Sequence, residues 1–172
     1  MGSSYVGHFE DYLRVNQIKF KSPFPVRFIS VGGLSILELE ALMRQHLSPS
    51  GSGYLILQVG GNDVGKLSGL AWRQELETAI LFARARFPNY TIIWSDMFQR
   101  NNWRHCANVW VGVNKRQRLQ RYARRIVTNE GGRVFKHPLG MHKLLKGDGV
   151  HLSPVGNDTL KHSLERQIKR LR

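Results

Sequence analysis

The sequence predicts a three-layer α/β protein built on a parallel sheet, and three observations predict it. Short β-rich runs alternate with longer runs of helical period, the order that strand–helix–strand units produce. The runs at 54–59 and 91–95 are apolar without a polar alternation, as strands covered on both faces require. Polar, Gly-containing loops at 32–33, 60–63 and 148–151 fall where the C-terminal ends of such strands open onto a site.

The elements follow in order. The 2–4 stretch, Gly-Ser-Ser, is a small-residue turn. Phe9, Tyr12 and Leu13 then recur at helical spacing, giving an amphipathic helix of roughly ten residues that fades towards Lys21. Residues 26–31, Val-Arg-Phe-Ile-Ser-Val, read as a first strand ended by Gly32-Gly33. Ile36, Leu39, Leu42, Met43, His46 and Leu47 trace one helical face, and the Pro-Ser-Gly-Ser-Gly run at 49–53 breaks it. His46 lies on that face and is expected to be packed. The 54–59 strand ends in Gly60-Gly61-Asn62-Asp63. Trp72, Leu76, Ala79, Ile80, Ala83 and Phe87 mark the clearest helix, which Pro88-Asn89 stops.

After the 91–95 strand comes a polar, aromatic loop over 98–110. Its Phe98, Trp103 and Trp110 fit either a substrate wall or core packing. Leu119, Tyr122, Ala123 and Ile126 form the apolar stripe of a basic helix that carries Lys115, Arg118, Arg121 and Arg125 on its other side. A solvated face is the default for that charge run; a surface for nucleic acid is the alternative. Gly131-Gly132 ends the helix, and 133–135 is a short last strand. Ser153 can cap, and Pro154 can open, a final helix packed through Leu160, Leu164, Ile168 and Leu171. No repeat or linker divides the chain, so 1–172 is expected to form a single domain.

Composition narrows the function classes. A hydrophobic content of 41% belongs to a folded protein, not a disordered one. No apolar run is long enough to span a membrane and no signal-peptide pattern is present, so an intracellular setting is favoured. The single cysteine, Cys106, excludes an internal disulfide and a multi-cysteine zinc site. The net charge of +14 is unevenly spread. Residues 1–86 carry nine basic and seven acidic residues, and 87–172 carry seventeen and five. A basic second half attracts polyanions through long-range electrostatics, or simply keeps the protein soluble.

The chemistry-bearing motif is Asp148-Gly149-Val150-His151. At this spacing a carboxylate can reach one ring nitrogen of the imidazole, fix its tautomer and leave the other nitrogen as a base. Alone, an acid three residues before a histidine is more often an ordinary loop. Its weight depends on whether a nucleophile and an oxyanion site exist elsewhere. A metal site at Asp148 and His151 is a weaker reading, because no second cluster lies at ligand spacing.

Taken with the other loops, the motif resembles the ordered blocks of the SGNH (GDSL-type) hydrolase superfamily over nearly the whole chain. Gly2-Ser3-Ser4 is similar to the nucleophile block, Val31-Gly32-Gly33-Leu34-Ser35 to the glycine block, Gly60-Gly61-Asn62-Asp63 to the asparagine block and Asp148-Gly149-Val150-His151 to the acid–base block. Together with Gly156-Asn157-Asp158, these blocks look closest to SGNH-type domains of animal genomes, some of them retroelement-associated. The resemblance implies a flavodoxin-like SGNH hydrolase fold and a serine esterase. Its triad would be Ser4, Asp148 and His151, and its oxyanion hole Ser4, Gly33 and Asn62. The substrate would be a small acyl ester, with no metal or organic cofactor. Non-specific nucleic-acid contact through Lys115, Arg118, Arg121 and Arg125 is the competing role.

Two departures from the family pattern matter. Ser3 stands where the pattern has Asp, at a position outside the triad. The central strand that should precede the nucleophile block is missing, as in an N-terminally truncated domain. The expectation is therefore a sheet with an unfilled position between 26–31 and 54–59, and a weakly held Ser4.

Overall fold

Three parallel strands make the sheet: β1 (Gly53–Leu57), β2 (Tyr90–Ser95) and β3 (Arg133–Phe135), hydrogen-bonded in that order. The structure, a computed structural model, describes residues 1–138 and 140–171. Leu55 lies opposite Ile92, and Leu57 opposite Trp94. Side chains alternate across a strand, so the sheet has two apolar faces. Leu55, Leu57, Ile92 and Trp94 belong to one core, which also holds Leu42, Trp72, Leu76, Ala123 and Val127. Ile93 and Phe135 point the other way, towards Ile168 and Leu171.

Among the described residues five α-helices supply those layers. On the first face lie α2 (Leu39–His46), α3 (Gly69–Arg86) and α4 (Val109–Asn129). On the second lie α1 (Ser4–Val15) and α5 (Pro154–Lys169). The expected α/β/α layering is what the chain adopts. Capping chemistry sets the starts: Ser68, Asn108 and Ser153 each accept a hydrogen bond from the backbone three residues on. Ser35 and Glu38 form a reciprocal capping box at the short 3-10 turn leading into α2. Trp72 and Trp94, both fully buried, meet edge to face at 6.2 Å in the middle of the first core. Among the described residues no helix is long and apolar enough to cross a membrane.

One element departs from the sequence reading. Residues 26–31 do not form a strand; within that stretch only Ser30 makes a bridge, a parallel one to Gly2. A strand is defined by its partners, and among the described residues this segment is paired by Gly2 at Ile29, Ser30 and Val31. Met1 and Gly2 occupy the central position that the resemblance marks as missing. The Gly2 N–H donates to the Ile29 carbonyl at 2.9 Å, and the Gly2 carbonyl accepts from Val31 N–H at 3.0 Å. On the other side the Met1 carbonyl accepts from Gln58 N–H at 3.0 Å, and Ser3 N–H donates to the Gln58 carbonyl at 3.1 Å. Ser4 thus follows directly on a doubly paired dipeptide. Beyond Met1 the sheet opens into a cavity of about 600 Å³ lined by β1 residues, by Phe24 to Ile29, and by Phe9, Phe20 and Leu164. His46 reaches the edge of this cavity, half-buried instead of fully packed.

Candidate active site

Ser4, Gly33, Asn62, Asp148 and His151, spread over four segments, line one cavity of about 480 Å³. It lies where the chain leaves the C-terminal ends of the Met1-Gly2 stub, β1 and β2, the position at which loops converge in an open parallel sheet.

The acid–base loop is held by its own acid. One Asp148 oxygen accepts from the N–H groups of Val150 (2.8 Å) and His151 (2.9 Å), closing a tight turn. The other oxygen lies 2.7 Å from His151 Nδ1. Gly149 takes φ +67°, a left-handed conformation suited to glycine, and its carbonyl accepts from Asn101 and Asn102 N–H. The Tyr5 hydroxyl donates to the Val150 carbonyl, so the first turn of α1 is tied to this loop. The hydrogen bond from His151, followed by that from Val150 N–H, holds the Asp148 carboxyl down at about 2. It is ionised throughout the neutral range and keeps a proton on Nδ1, which leaves Nε2 as the acceptor.

His151 Nε2 lies 3.0 Å from Ser4 Oγ, across 147 residues of sequence. Ser4 is the first residue of α1, which has no side-chain cap, so its N–H has no acceptor within the helix. Gly33 holds φ +74°, with open space where a Cβ would project, so glycine is needed there for backbone conformation. Asn62 donates from Nδ2 to the Leu34 carbonyl at 3.1 Å and accepts at Oδ1 from Arg100 at 3.0 Å. Its neighbour Asp63, fully buried, accepts from Ser35 Oγ and from Ile36 N–H at 2.9 Å, which locks the 60–63 loop to the 33–36 loop. Burial pushes the Asp63 carboxyl up.

Several neighbours were not singled out from sequence. Arg100 has no local signal: it is one arginine in an irregular loop. His8 had one, since it stands one helical turn after Ser4 on the same face of α1. Its ring lies 4.3 Å from that of His151, and burial, then the neighbouring His151, lowers its basicity. Of the three loop aromatics, Trp103 lines the cavity, Phe98 packs on Tyr5 at 4.9 Å, and Trp110 is 76% exposed.

No protein-family model matches the chain, and no curated protein sequence matches it. Solved structures do match in fold. A GDSL-like lipase from Bacteroides thetaiotaomicron superposes with a TM-score of 0.73 at 14% identity, over 100% of this chain and 87% of that one. The OSK domain of Drosophila Oskar gives 0.71 at 15% identity, covering 98% and 86%. The psychrotrophic esterase EstA from Pseudoalteromonas, in a form inhibited by monoethylphosphonate, gives 0.66 at 14% identity, covering 97% and 86%. The chain therefore has the fold of the SGNH (GDSL-type) hydrolases.

Proposed function

We propose that the protein is a serine acyl hydrolase acting on a small carboxylic ester. The observation that carries this reading is the unbroken line Ser4 Oγ, His151 Nε2, His151 Nδ1, Asp148 Oδ2, with contacts of 3.0 and 2.7 Å in a cavity of a hydrolase fold. A serine hydroxyl is a poor nucleophile near neutral pH until a base takes its proton. His151 Nε2 accepts that proton as Ser4 Oγ bonds to the ester carbonyl carbon, while Asp148 orients the ring and stabilises the imidazolium. The oxygen of the tetrahedral adduct gathers negative charge, and the N–H groups of Ser4 and Gly33 and the Asn62 amide are the donors for it. His151 then gives its proton to the departing alcohol, leaving an acyl-Ser4 ester. Water, deprotonated by the same imidazole, attacks that ester; the bond to Ser4 Oγ breaks, the acid leaves, and His151 returns the proton to Ser4 Oγ. Each oxyanion donor contributes about a hundred- to thousand-fold in rate.

A fluorophosphonate probe tests the reading, since phosphonylation needs the same activated serine. Labelling of Ser4 that disappears in Ser4→Ala and His151→Ala is the expected result. Labelling that persists in both variants refutes it.

A second role, as a nucleic-acid-associated domain, has one supporting observation. Lys115, Arg118, Arg121 and Arg125 are all exposed on α4, and none forms an ion pair among the described residues. Such a row can meet phosphates at regular spacing.

A further inference from the structure

We infer that Arg100 is the positioning residue of the oxyanion site, acting through the carboxamide of Asn62; this rests on the serine-hydrolase reading above. Four observations carry it. The Arg100 side chain is buried, with the residue only 8% exposed, and an Nη donates to Asn62 Oδ1 at 3.0 Å. Its guanidinium stands over the rings of Tyr5 (5.3 Å) and Trp103 (5.5 Å). Among the described residues no carboxylate lies within ion-pair distance of it, and its Nε is buried without a partner. A Cβ on Gly61 would come 2.9 Å from an Arg100 Nη, so the guanidinium packs directly against the glycine beside Asn62.

A buried cation without a counter-ion is costly unless the structure supplies negative charge. Here the charge appears during the reaction. Arg100 grips Oδ1, which prevents the amide from turning over and presenting its oxygen to the oxyanion. One Nδ2 hydrogen is committed to the Leu34 carbonyl, leaving the other for the cavity. A charge-assisted bond to Oδ1 also polarises that free N–H and strengthens it as a donor. The benefit grows as the oxyanion forms, so it acts on the transition state more than on the bound ester.

The test is a double-mutant cycle with Arg100→Met and Asn62→Ala on a chromogenic acetyl ester, with Ser4→Ala as reference. Arg100→Met is expected to lower kcat about ten- to a hundredfold with KM changed less than about twofold, and to cause no further loss when Asn62 is already Ala. Arg100→Lys restores the charge without the fork and recovers only part of the rate. Additive losses, or a change confined to KM, overturn the proposal. Hydrolysis unaffected by Ser4→Ala overturns the hydrolase reading instead. A readout independent of turnover is the side-chain amide signal of Asn62 in an NMR spectrum. It is expected to move towards that of a free carboxamide in Arg100→Met, and also in Gly61→Ala should the first variant not fold. An unmoved Asn62 signal in a folded variant refutes the contact's role.

Discussion

The α-amino nitrogen of Met1 donates to the Ile56 carbonyl at 2.9 Å, inside the sheet instead of in water. Burial lowers its basicity from 8.0 to about 5. Between these values the unfolded chain holds a proton that the folded chain sheds. Stability is therefore fully present above pH 8 and lost as pH falls through 5, by on the order of 4 kcal/mol. Acetylating the amine removes the titration and keeps an N–H donor. Thermal unfolding from pH 8 to 5 should then be much flatter for the acetylated chain; parallel curves for the two forms would show that this amine is not the source.

The cavity beyond Met1 is bordered by β1, the first strand of the sheet order, on one side and by the 25–29 segment on the other. An apolar extension of about five β-branched residues on Met1 can run parallel to β1 at the usual rise of about 3.3 Å per residue. It should raise the melting temperature by more than about 4 °C, since each 1 kcal/mol is worth about 2–4 °C in a domain of this size. An extension of the same length made of proline cannot donate to the sheet and should give no such rise. Equal melting temperatures for the two would show that the cavity does not accept a strand.

Why the sequence was readable in some places and not in others is clear from these residues. The helices around Trp72 and Leu160 announce themselves through periodicity, and the 54–59 and 91–95 strands through apolar runs without alternation, because one sheet covered on two faces imposes both. The 26–31 stretch has the composition of a strand, yet pairing depends on what lies beside it, and among the described residues its one bridge is from Ser30 to Gly2. The proposed site residues sit in short motifs whose order along the chain carries information. Arg100 carries none, since its role comes from a loop that folds back between Tyr5 and Trp103. His8 was legible in principle, one turn beyond Ser4, but helical spacing alone does not reveal a ring brought up from residue 151.

Asp148 performs two tasks, and a substitution can separate them. Asp148→Asn keeps an oxygen to accept from Val150 and His151 N–H, so the turn should survive. Its amide nitrogen, facing His151 Nδ1, favours the tautomer with the proton on Nε2, which can no longer take one from Ser4. The hydrolysis rate should fall about ten-thousandfold, with the fold retained and melting near neutral pH lowered, since the amide lacks the carboxylate's charge. The carboxyl's depressed value also predicts that the wild-type chain loses this acid's contribution as pH falls from 3.8 to about 2, a loss that Asp148→Asn should not show. Acid-unfolding curves of the two proteins decide this.

The basic residues of α4 divide into two sets with opposite expected behaviour. Arg124 makes a two-pronged ion pair with Asp96, whose side chain is 10% exposed. Gln120, itself buried, donates to the same carboxylate and accepts from Met97 N–H, while Arg116 donates to the Met97 carbonyl at 2.9 Å. Removing the acid leaves the buried Gln120 amide without its acceptor while Arg124, 37% exposed, turns to water, and Asp96→Ala should cost about 1–3 kcal/mol in a denaturant titration. Arg118, Arg121 and Arg125 lie on the exposed side; of these, Arg125 leans over the Tyr122 ring at 5.3 Å. Reversing all three to Glu removes no buried contact and should change stability by about 1 kcal/mol or less. If that face meets nucleic acid, the triple reversal lowers affinity for single- and double-stranded oligonucleotides alike, and the slope of affinity against salt falls by about three. Unchanged affinity and slope would leave the row as a solvated helix face, with the proposed hydrolase site as the chain's functional centre.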